Sequence, residues 1–497
     1  MEKVLKKYQN LFFYSFIILF LTVFMFLFVS ATNPILYNHY GYDSAYYRYI
    51  GASILKGKTP YVDVWESKGP FFYFIQAAGA LNGTLNRKIS LIFPMQILAM
   101  LITVFFLERA DFLMNAGKRY RKIRFLVLLV CSLPVYAVTI QGGNLTEDWS
   151  LPMISCSLYF FMKYAVKTGC ISYSPKVSSQ DVRHPRSYAF NHGICFSMIA
   201  FIRINNSVSI CAGLLVIGLI LIINRQWKNL IENVLFGLLG MLVVTLPLFI
   251  WYFSKNALNE MLYATFLHGL KYTKIMAHGS FSSEEFFIRY LPLIIGVLLF
   301  FIEKINKWRI SYLDIIVLVI LCANFVMLNI QNFLRHYFII VFPVFLFALI
   351  VYAGKSFVTE FIILSTYFAY MLYYCNDVLY WNFTGNKYPT FPTANMFVPK
   401  AERNSMIAID ASPEIYLNMN MEPISRFAAF QAGLFEIEPE FKEEFLVDLK
   451  TKNPKWIVKT CDRKIPQAEI QTIIDENYSL RFMDTYYCFY RLDETMQ

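Results

Sequence analysis

Two stretches early in the chain, NHYGYDSAYY (residues 38–47) and PYVDVWESKGP (residues 60–70), combine acids, a lysine and many aromatic residues. The surrounding sequence is mostly lipid-soluble, and the stretches directly follow its first long apolar run. A loop at the mouth of a helix bundle can bring carboxylates and a cation to the membrane surface, where the polar group of a lipid-linked substrate also lies. The two stretches therefore indicate a site for such a substrate.

The composition is that of an integral membrane protein. The chain has 497 residues, of which 57% are hydrophobic and 16% are charged. This apolar content exceeds the roughly 45–50% of soluble domains. Apolar runs near the ~20 residues that cross ~30 Å of hydrocarbon recur along the chain. They predict about eleven transmembrane helices, at residues 11–31, 89–107, 124–140, 149–166, 188–203, 207–223, 230–253, 288–302, 312–330, 337–353 and 357–375.

Basic residues predict the orientation of these helices. Lys and Arg cluster before the first span, between the second and third spans, and at later alternate turns. Because such residues favour the cytoplasmic side, the N-terminus is predicted to be cytoplasmic and the C-terminal region extracytoplasmic. The first run could instead be a signal peptide, but its length favours an uncleaved span. The net charge of +11 needs no nucleic-acid partner, since basic turns facing an anionic leaflet account for much of it.

The charge pattern divides the chain into domains. A transmembrane domain is predicted at residues 1–375, a linker at 376–402 and a small extracytoplasmic α/β domain at 403–497. In the last domain, strands are expected at 406–410, 456–458 and 486–492, and helices at 440–450 and 467–476. We expect this domain to bind an acceptor or a partner. Of the nine cysteines, Cys375, Cys461 and Cys488 fall on the outer side, where one disulfide can form.

The first outer loop, residues 32–88, contains the acids quoted above. Tyr42, Tyr46 and Tyr49 recur at helical spacing, which predicts a helix with Asp43 near its start. The helix dipole favours an acid there, so capping is one reading of Asp43. After the turn at residues 57–60, the amphipathic segment 61–70 is expected to lie in the membrane interface with its rings towards lipid. A simple membrane-resting hairpin is the alternative.

Three short blocks carry a family resemblance. Asp43 is followed by the pattern GxxPYxDxWExKGP at residues 57–70, and later by GGNLTED at 142–148 and RHY at 335–337. Together these blocks resemble the bacterial GT-C fold glycosyltransferases, which include protein O-mannosyltransferases and lipid A aminoarabinose transferases. The resemblance implies a GT-C fold, a polyprenyl-phosphate-linked sugar donor and inversion of the anomeric centre.

The resemblance also implies roles for individual residues. Asp43 matches the catalytic acid of the first loop, and a carboxylate there can take the proton of an attacking hydroxyl. Lys68 matches the lysine that contacts the donor phosphate in the aminoarabinose transferases, where Lys-Pro-Pro stands instead of Lys68-Gly69-Pro70. A lipid phosphate leaves with charge that fixed cations stabilise. The alternative for Lys68 is snorkelling to the lipid headgroups.

Further polar residues outside the spans are candidate ligands. Arg335 and His336 can donate hydrogen bonds to the donor phosphate, and Arg335 can alternatively anchor a helix at the interface. The acids Asp63, Glu66, Glu147 and Asp148 are candidates for the acceptor side or for a divalent cation, which prefers carboxylate oxygens. For Glu147 and Asp148 the alternative is favourable placement at a helix start that is capped by Thr146.

The second outer loop, residues 254–287, is predicted to contain a lid over the donor. His268, Lys271 and Lys274 share one helical face, and glycine and serines follow them. An ordinary interfacial helix is the alternative. The histidines lack the tight spacing of a zinc site.

The residues together predict an inverting hexosyl- or pentosyltransferase in the bacterial cytoplasmic membrane. It would move a sugar from a polyprenyl-phosphate donor to an envelope glycan, lipid or protein on the outer face, in contact with membrane lipids. A transporter or flippase of a lipid-linked saccharide is the alternative, although such proteins place ionisable sites near the bilayer midplane. A non-catalytic envelope scaffold is a third interpretation.

Overall fold

The chain forms long helices and one small sheet. The computed structural model describes residues 2–36, 41–82, 90–168, 182–275, 283–304, 310–331, 334–354, 357–384, 397–409, 411–419, 421–428, 434–461, 465, 467–483 and 486–493. Two compact units result, each assembled from three segments of the chain. The helix unit comprises Met1–Val29, Pro94–Trp251 and Ala277–Thr384, and the sheet unit comprises Ser30–Phe93, Tyr252–Met276 and Gly385–Gln497.

The helices follow the hydrophobic pattern of the sequence. In chain order they are α1 (Glu2–Phe28), α2 (Tyr42–Leu55), α3 (Pro70–Gly79), α4 (Ile92–Asn115), α5 (Arg121–Thr139), α6 (Thr146–Lys167), α7 (Arg186–Arg203), α8 (Val208–Ile223), α9 (Trp227–Ser254), α10 (Leu258–Leu262), α11 (His268–Ile275), α12 (Ser283–Lys304), α13 (Tyr312–Ile330), α14 (Val341–Tyr352), α15 (Phe357–Thr384), α16 (Glu414–Met419), α17 (Leu434–Ile437), α18 (Pro439–Lys452) and α19 (Ala468–Asn477). A π-helical turn, Tyr263–Leu267, joins α10 to α11, and a 3₁₀ turn, Arg335–Ile340, precedes α14.

Among the described residues, eight helical segments are long and apolar enough to cross a membrane. The prediction of a polytopic, mostly helical membrane protein is confirmed. Every predicted span overlaps a helix, and the count of eleven spans stays a prediction. Helix α15 continues to Thr384, so residues 376–384 are helical where the sequence predicted a linker.

Buried ion pairs fix one end of the helix unit. Arg121 lies 2.8 Å from the Glu108 carboxylate, and Arg124 lies 2.7 Å from that of Asp111. The Arg124 guanidinium also donates to the Ala353 carbonyl, 2.8 Å away, at the end of α14. Cations at a helix C-terminus satisfy carbonyl groups that have no partner within the helix. These contacts therefore join α4, α5 and α14 at the end of the bundle where α5 begins.

The sheet of the sheet unit has four strands in the order β1-β2-β4-β3. The strands are β1 (Met406–Ile409), β2 (Trp456–Thr460), β3 (Tyr478–Met483) and β4 (Tyr487–Leu492). Strands β1 and β2 are parallel, and the other two pairings are antiparallel. The prediction of a small strand-containing region near the C-terminus is thereby confirmed, and the domain bounds of 1–375, 376–402 and 403–497 stay predictions. Strand β3, at one edge of the sheet, was not predicted.

A disulfide joins Cys461 to Cys488 in the sheet unit. Cys461 directly follows β2, and Cys488 lies on the neighbouring strand β4 opposite Lys459. Cys375, the third cysteine that the sequence placed outside, is buried in α15 as a free thiol. The expectation that one disulfide can form among these cysteines is confirmed, and its location on the outer side stays a prediction.

Removing this disulfide is expected to destabilise the sheet unit. The bridge spans 27 residues, and closing a loop of that length stabilises the folded chain by about 3.5 kcal/mol through the entropy of the unfolded state. We expect the double variant Cys461→Ser/Cys488→Ser to unfold at a lower urea concentration than the natural chain. Pulse proteolysis of the detergent-purified, full-length protein measures this as the urea midpoint at which the C-terminal region becomes cleavable. Cys211→Ser, at an exposed free thiol, serves as the control. Equal midpoints for the two variants would contradict the prediction.

Candidate functional site

Asp43 lies at the start of α2 in the sheet unit. Gly41 precedes the helix with φ +69°, a conformation that glycine adopts without strain. Asp43 occupies the first helical turn, where the dipole favours a negative charge, and its side chain is partly exposed. The predicted helix around Asp43 is present, and the catalytic role of this residue stays a prediction.

Hydrogen bonds to its backbone and an ion pair of its ammonium group hold Lys68 in place. The Tyr61 hydroxyl donates to the Lys68 carbonyl at 2.7 Å, and the Lys68 amide donates to the Tyr73 hydroxyl at 3.1 Å. Its ammonium lies 3.0 Å from the carboxylate of Glu66, which is buried, and 5.9 Å from the centre of the Tyr47 ring. Glu66, a predicted acceptor or metal residue, is thus an ion-pair partner that fixes the direction of Lys68.

Buried tyrosines surround this ion pair. Burial raises the phenol pKa values of Tyr46, Tyr61 and Tyr73 well above the ordinary range, and the Glu66 carboxylate raises each of them further. These hydroxyl groups therefore stay neutral hydrogen-bond donors. The Tyr46 hydroxyl donates to the carbonyl of Trp65.

The expectation that the rings of residues 61–70 face lipid is wrong, and the expectation that this segment lies in the membrane interface stays a prediction. Tyr61 is 0% exposed and Trp65 is 5% exposed, because both rings pack inside the sheet unit. The Tyr61 ring centre lies 5.8 Å from that of Tyr73, and the Trp65 ring centre lies 4.5 Å from that of Phe441. Phe441, which is distant in sequence, packs against Trp65 and covers a surface that was predicted to face lipid.

Asp63 has a structural role in the same loop. Its carboxylate accepts a hydrogen bond from the Thr59 amide at 2.7 Å, which closes the turn that leads to Tyr61. The side chain is exposed. Tyr61 follows with φ +74°, an unfavourable conformation for a non-glycine residue that surrounding contacts must hold in place. A role of Asp63 towards an acceptor or a metal stays a prediction.

A second polar cluster lies in the helix unit, at the end of the bundle where α5 and α7 finish. The Glu147 carboxylate is buried and lies 2.6 Å from the Arg203 guanidinium. The guanidinium also stacks on the Tyr337 ring at 3.8 Å and lies 3.5 Å from the Gln331 side-chain oxygen. This arrangement joins α6, α7 and the segment before α14 through one buried charge pair.

His336 belongs to the same end of the helix unit. Its Nδ1–H donates to the Gln141 side-chain oxygen at 2.7 Å, because that oxygen can only accept. Gln141 begins the turn QGGN, in which all four residues have positive φ. At Gly143 a Cβ would also lie 3.0 Å from a methyl carbon of Val29, so the turn requires glycine for both space and conformation.

Arg335 is the exposed cation of this end. Its guanidinium lies 3.5 Å from the Glu285 carboxylate, which also accepts from Arg289 at 2.9 Å. Arg335 is half exposed, whereas Arg289 is buried. Arg289 was absent from the predicted site residues. Its signal in the sequence was an ionisable group within a predicted apolar span.

Asp148 caps α6. Its carboxylate accepts from the Leu145 amide at 3.1 Å, one residue before the helix. The expectation that Thr146 caps this helix is wrong, because Thr146 is its first helical residue and its hydroxyl donates to Glu147 at 3.0 Å. Roles of Glu147 and Asp148 towards an acceptor stay predictions.

The candidate residues thus fall into two sets. Asp43, Asp63, Glu66 and Lys68 belong to the sheet unit, whereas Glu147, Asp148, Arg335 and His336 belong to the helix unit. Within the described ranges, no group of three or more His, Cys, Asp or Glu residues is arranged to hold a metal ion.

The predicted lid segment forms α10, the π-helical turn and α11. His268 and Lys271 lie on one face of α11, as their spacing predicted, and both contact the buried Glu438 carboxylate, at 3.0 and 2.9 Å. The Tyr263 hydroxyl also donates to Glu438. The side chain of Lys274 and residues 276–282, which include the predicted flexible Gly279, Ser280 and Ser282, lie outside the described residues, and Ser283 begins α12.

The charges of this segment influence one another. Burial alone would raise the pKa of Glu438, but hydrogen bonds from Tyr263, Lys271 and His268 outweigh it and hold this pKa below the ordinary value. Hydrogen bonds to Tyr263 and Glu438 raise the pKa of Lys271. Burial lowers the pKa of His268 despite the nearby carboxylate, so its imidazole is neutral at pH 7.

The fold is similar over nearly its whole length to a protein of known structure. ArnT from Cupriavidus metallidurans bound to undecaprenyl phosphate matches with a TM-score of 0.60 and 15% identity, covering 98% of this chain and 99% of that chain. The apo state of ArnT matches with a TM-score of 0.54 and 15% identity, over 90% and 92% of the two chains. ArnT is a lipid A aminoarabinose transferase with the GT-C fold. The predicted GT-C fold is therefore confirmed.

No family model matches the sequence, and no curated protein matches it. The structural likeness thus reaches further than the sequence likeness.

Acidification is expected to destabilise the sheet unit through His268. Because its pKa is lowered in the folded protein, the unfolded chain binds the proton more readily, and stability falls as the pH drops below about 6.5. The lowered pKa of Glu438 adds a separate loss below its ordinary range. We expect the thermal midpoint to fall less between pH 7.5 and 5.5 in His268→Gln than in the natural chain. Parallel curves for the two proteins would contradict the assignment.

Proposed function

We propose that the chain is an inverting glycosyltransferase. It moves a hexosyl or pentosyl group from a polyprenyl-phosphate donor to a hydroxyl of a cell-envelope glycan, lipid or protein. The GT-C fold, which matches undecaprenyl-phosphate-bound ArnT over nearly the whole chain, is the observation that carries the proposal. The placement of Asp43 and Lys68 in one compact unit supports it.

The proposed reaction is a single displacement. The Asp43 carboxylate takes the proton of the acceptor hydroxyl, whose oxygen forms a bond to the anomeric carbon. The bond from that carbon to the phosphate oxygen breaks, and polyprenyl phosphate leaves with the bonding electrons. Inversion follows because the acceptor attacks opposite the leaving group.

The cations of the chain stabilise the leaving phosphate. The Lys68 ammonium, which Glu66 holds in one direction, faces the developing charge. Donor-phosphate roles of Arg335, which is half exposed, and of His336 stay predictions; a donor from His336 requires a protonated imidazole, because its Nδ1–H already binds Gln141. The tyrosines around Lys68 remain neutral, so they add no negative charge that would compete with the donor phosphate for Lys68.

The proposed location is the bacterial cytoplasmic membrane, with the N-terminus inside and the reaction on the outer face. The Cys461–Cys488 disulfide supports an extracytoplasmic sheet unit, because disulfides persist in oxidising compartments. Basic residues at alternate turns support the same orientation.

Replacing Asp43 tests the proposed reaction. Purified protein is given radiolabelled polyprenyl-phosphate sugar and membrane acceptors. We expect Asp43→Asn to lower transfer at least about 10²-fold, because an amide cannot act as a general base. Asp475→Asn is the matched control, since that aspartate is exposed in α19 of the same unit and has no assigned role in the site. Full transfer by Asp43→Asn would remove the assignment. Movement of the intact donor from one leaflet of a vesicle membrane to the other, without cleavage of the sugar–phosphate bond, would instead support a flippase.

Replacing Lys68 tests donor binding. We expect Glu66→Gln/Lys68→Met to raise the KM for the donor about 10- to 100-fold, because a hydrogen bond to a charged group contributes about 1.5–3 kcal/mol. The double variant avoids leaving a buried Glu66 carboxylate opposite an apolar side chain. Lys58→Met is the control, since Lys58 pairs with Glu422 at the surface. An unchanged KM would favour the snorkelling alternative.

A further inference from the structure

Glu438 is a buried carboxylate that no predicted role explains. It lies one residue before α18, and its side chain is 1% exposed. Three donors from the predicted lid segment converge on it: the Tyr263 hydroxyl, His268 Nδ1 and Lys271 Nζ. An internal carboxylate that collects three donors, one of them a cation, is stabilised where it lies. Because these three donors surround the Glu438 carboxylate, it binds other residues of the protein rather than a substrate.

The same cluster continues to Trp65 of the first outer loop. The Trp65 ring centre lies 5.8 Å from that of His268 and 6.4 Å from that of Tyr263. On the α18 side, the Phe441 ring centre lies 4.5 Å from it in an edge-to-face arrangement. Trp65 is thus enclosed by the lid segment and by the C-terminal domain, and aromatic contacts of this geometry add to the stabilisation from burial.

Arg426 connects the C-terminal domain to the backbone of the same loop. The Trp65 amide donates to the Arg426 carbonyl at 2.8 Å, and the Arg426 guanidinium donates to the Tyr61 carbonyl at 3.0 Å. Glu444 accepts from this guanidinium through both carboxylate oxygens, at 2.7 and 2.6 Å. The backbone of Tyr61, with its positive φ, is therefore held from the C-terminal domain.

The contacts that hold Tyr61 and Trp65 also influence the position of Lys68, which is close to both in the sequence. Residues 65–69 form neither a helix nor a strand, so tertiary contacts determine their position. The Tyr61 hydroxyl binds the Lys68 carbonyl, and Lys68 is three residues beyond Trp65. A shift of Trp65 or Tyr61 therefore moves Lys68.

We propose that Glu438 is a positioning residue, which fixes α11 against Trp65 and thereby holds Lys68 where it meets the donor phosphate. This inference rests on the proposed function for the role of Lys68. It gives the C-terminal domain a part in donor binding, beside the acceptor or partner binding that its sequence suggested.

Glu438→Gln tests this inference with little change in shape. The amide keeps the size of the carboxylate but loses its charge, and charge-assisted hydrogen bonds are about twice as strong as neutral ones. Glu440→Gln is the matched control, since Glu440 is exposed and lies in the first turn of α18. Both variants are compared with the natural full-length chain in the same detergent.

Hydrogen exchange is the first measurement, and it needs no enzymatic activity. We expect Glu438→Gln to speed amide exchange about tenfold in residues 258–271 and 61–69, with strands β2 and β4 unchanged. The control should match the natural chain. Unchanged exchange in Glu438→Gln would overturn the inference. Faster exchange spread equally over β2 and β4 would also overturn it, since Glu438 would then support the domain as a whole.

Donor kinetics are the second measurement. We expect Glu438→Gln to raise the KM for polyprenyl-phosphate sugar about tenfold, with kcat within about threefold of the natural chain. A fall in kcat at constant KM would overturn the connection to Lys68. If the natural chain transfers no sugar, the proposed function fails, and hydrogen exchange alone then decides whether Glu438 fixes α11 and Trp65.

Discussion

A carboxylate that is removed from water must face a cation or several hydrogen-bond donors, and both units of this protein depend on that requirement. Glu66 faces Lys68, and Glu147 faces Arg203. Glu438 faces three donors. In each case the buried acid determines where a polar partner lies. Among the residues proposed to bind the donor, Lys68 is oriented in this way, and such preorganisation would lower the reorganisation needed under the proposed function.

Buried aromatic residues contribute to the surroundings of the Glu66–Lys68 pair in the sheet unit. Tyr46, Tyr61 and Tyr73 are buried near Glu66, and their neutral hydroxyl groups bind backbone atoms. A charge pair in such surroundings interacts more strongly than one in water. The high aromatic content of the first outer loop thus has a packing explanation inside the protein.

Much of the fold could be predicted from the sequence because long apolar runs and alternating basic turns are local signals. Span 312–330 coincides with α13, and the helix around Asp43 follows from tyrosine spacing. Strand β3 was missed because it follows α19 without turn residues and lies at the sheet edge with much of it exposed. Capping by Asp148 rather than Thr146 depended on where α6 begins, which sequence fixes only within a few residues.

The candidate site was harder to predict because its partners are distant in the chain. The Glu66–Lys68 pair is local, but nothing near Trp65 in the sequence indicates Phe441 or Arg426 as its neighbours. Similarly, Glu147 and Arg203 are 56 residues apart. Single-residue chemistry identified the acids and cations, whereas tertiary structure decided which of them meet.

The discontinuous sheet unit has a consequence for biosynthesis. The first outer loop leaves the ribosome long before Arg426 and Glu438 are translated, so its backbone lacks the contacts that hold Tyr61 and Trp65 during most of synthesis. Contacts between residues so distant in sequence form late. A nascent chain would therefore acquire an ordered first outer loop only near the end of translation, when the protein is almost complete.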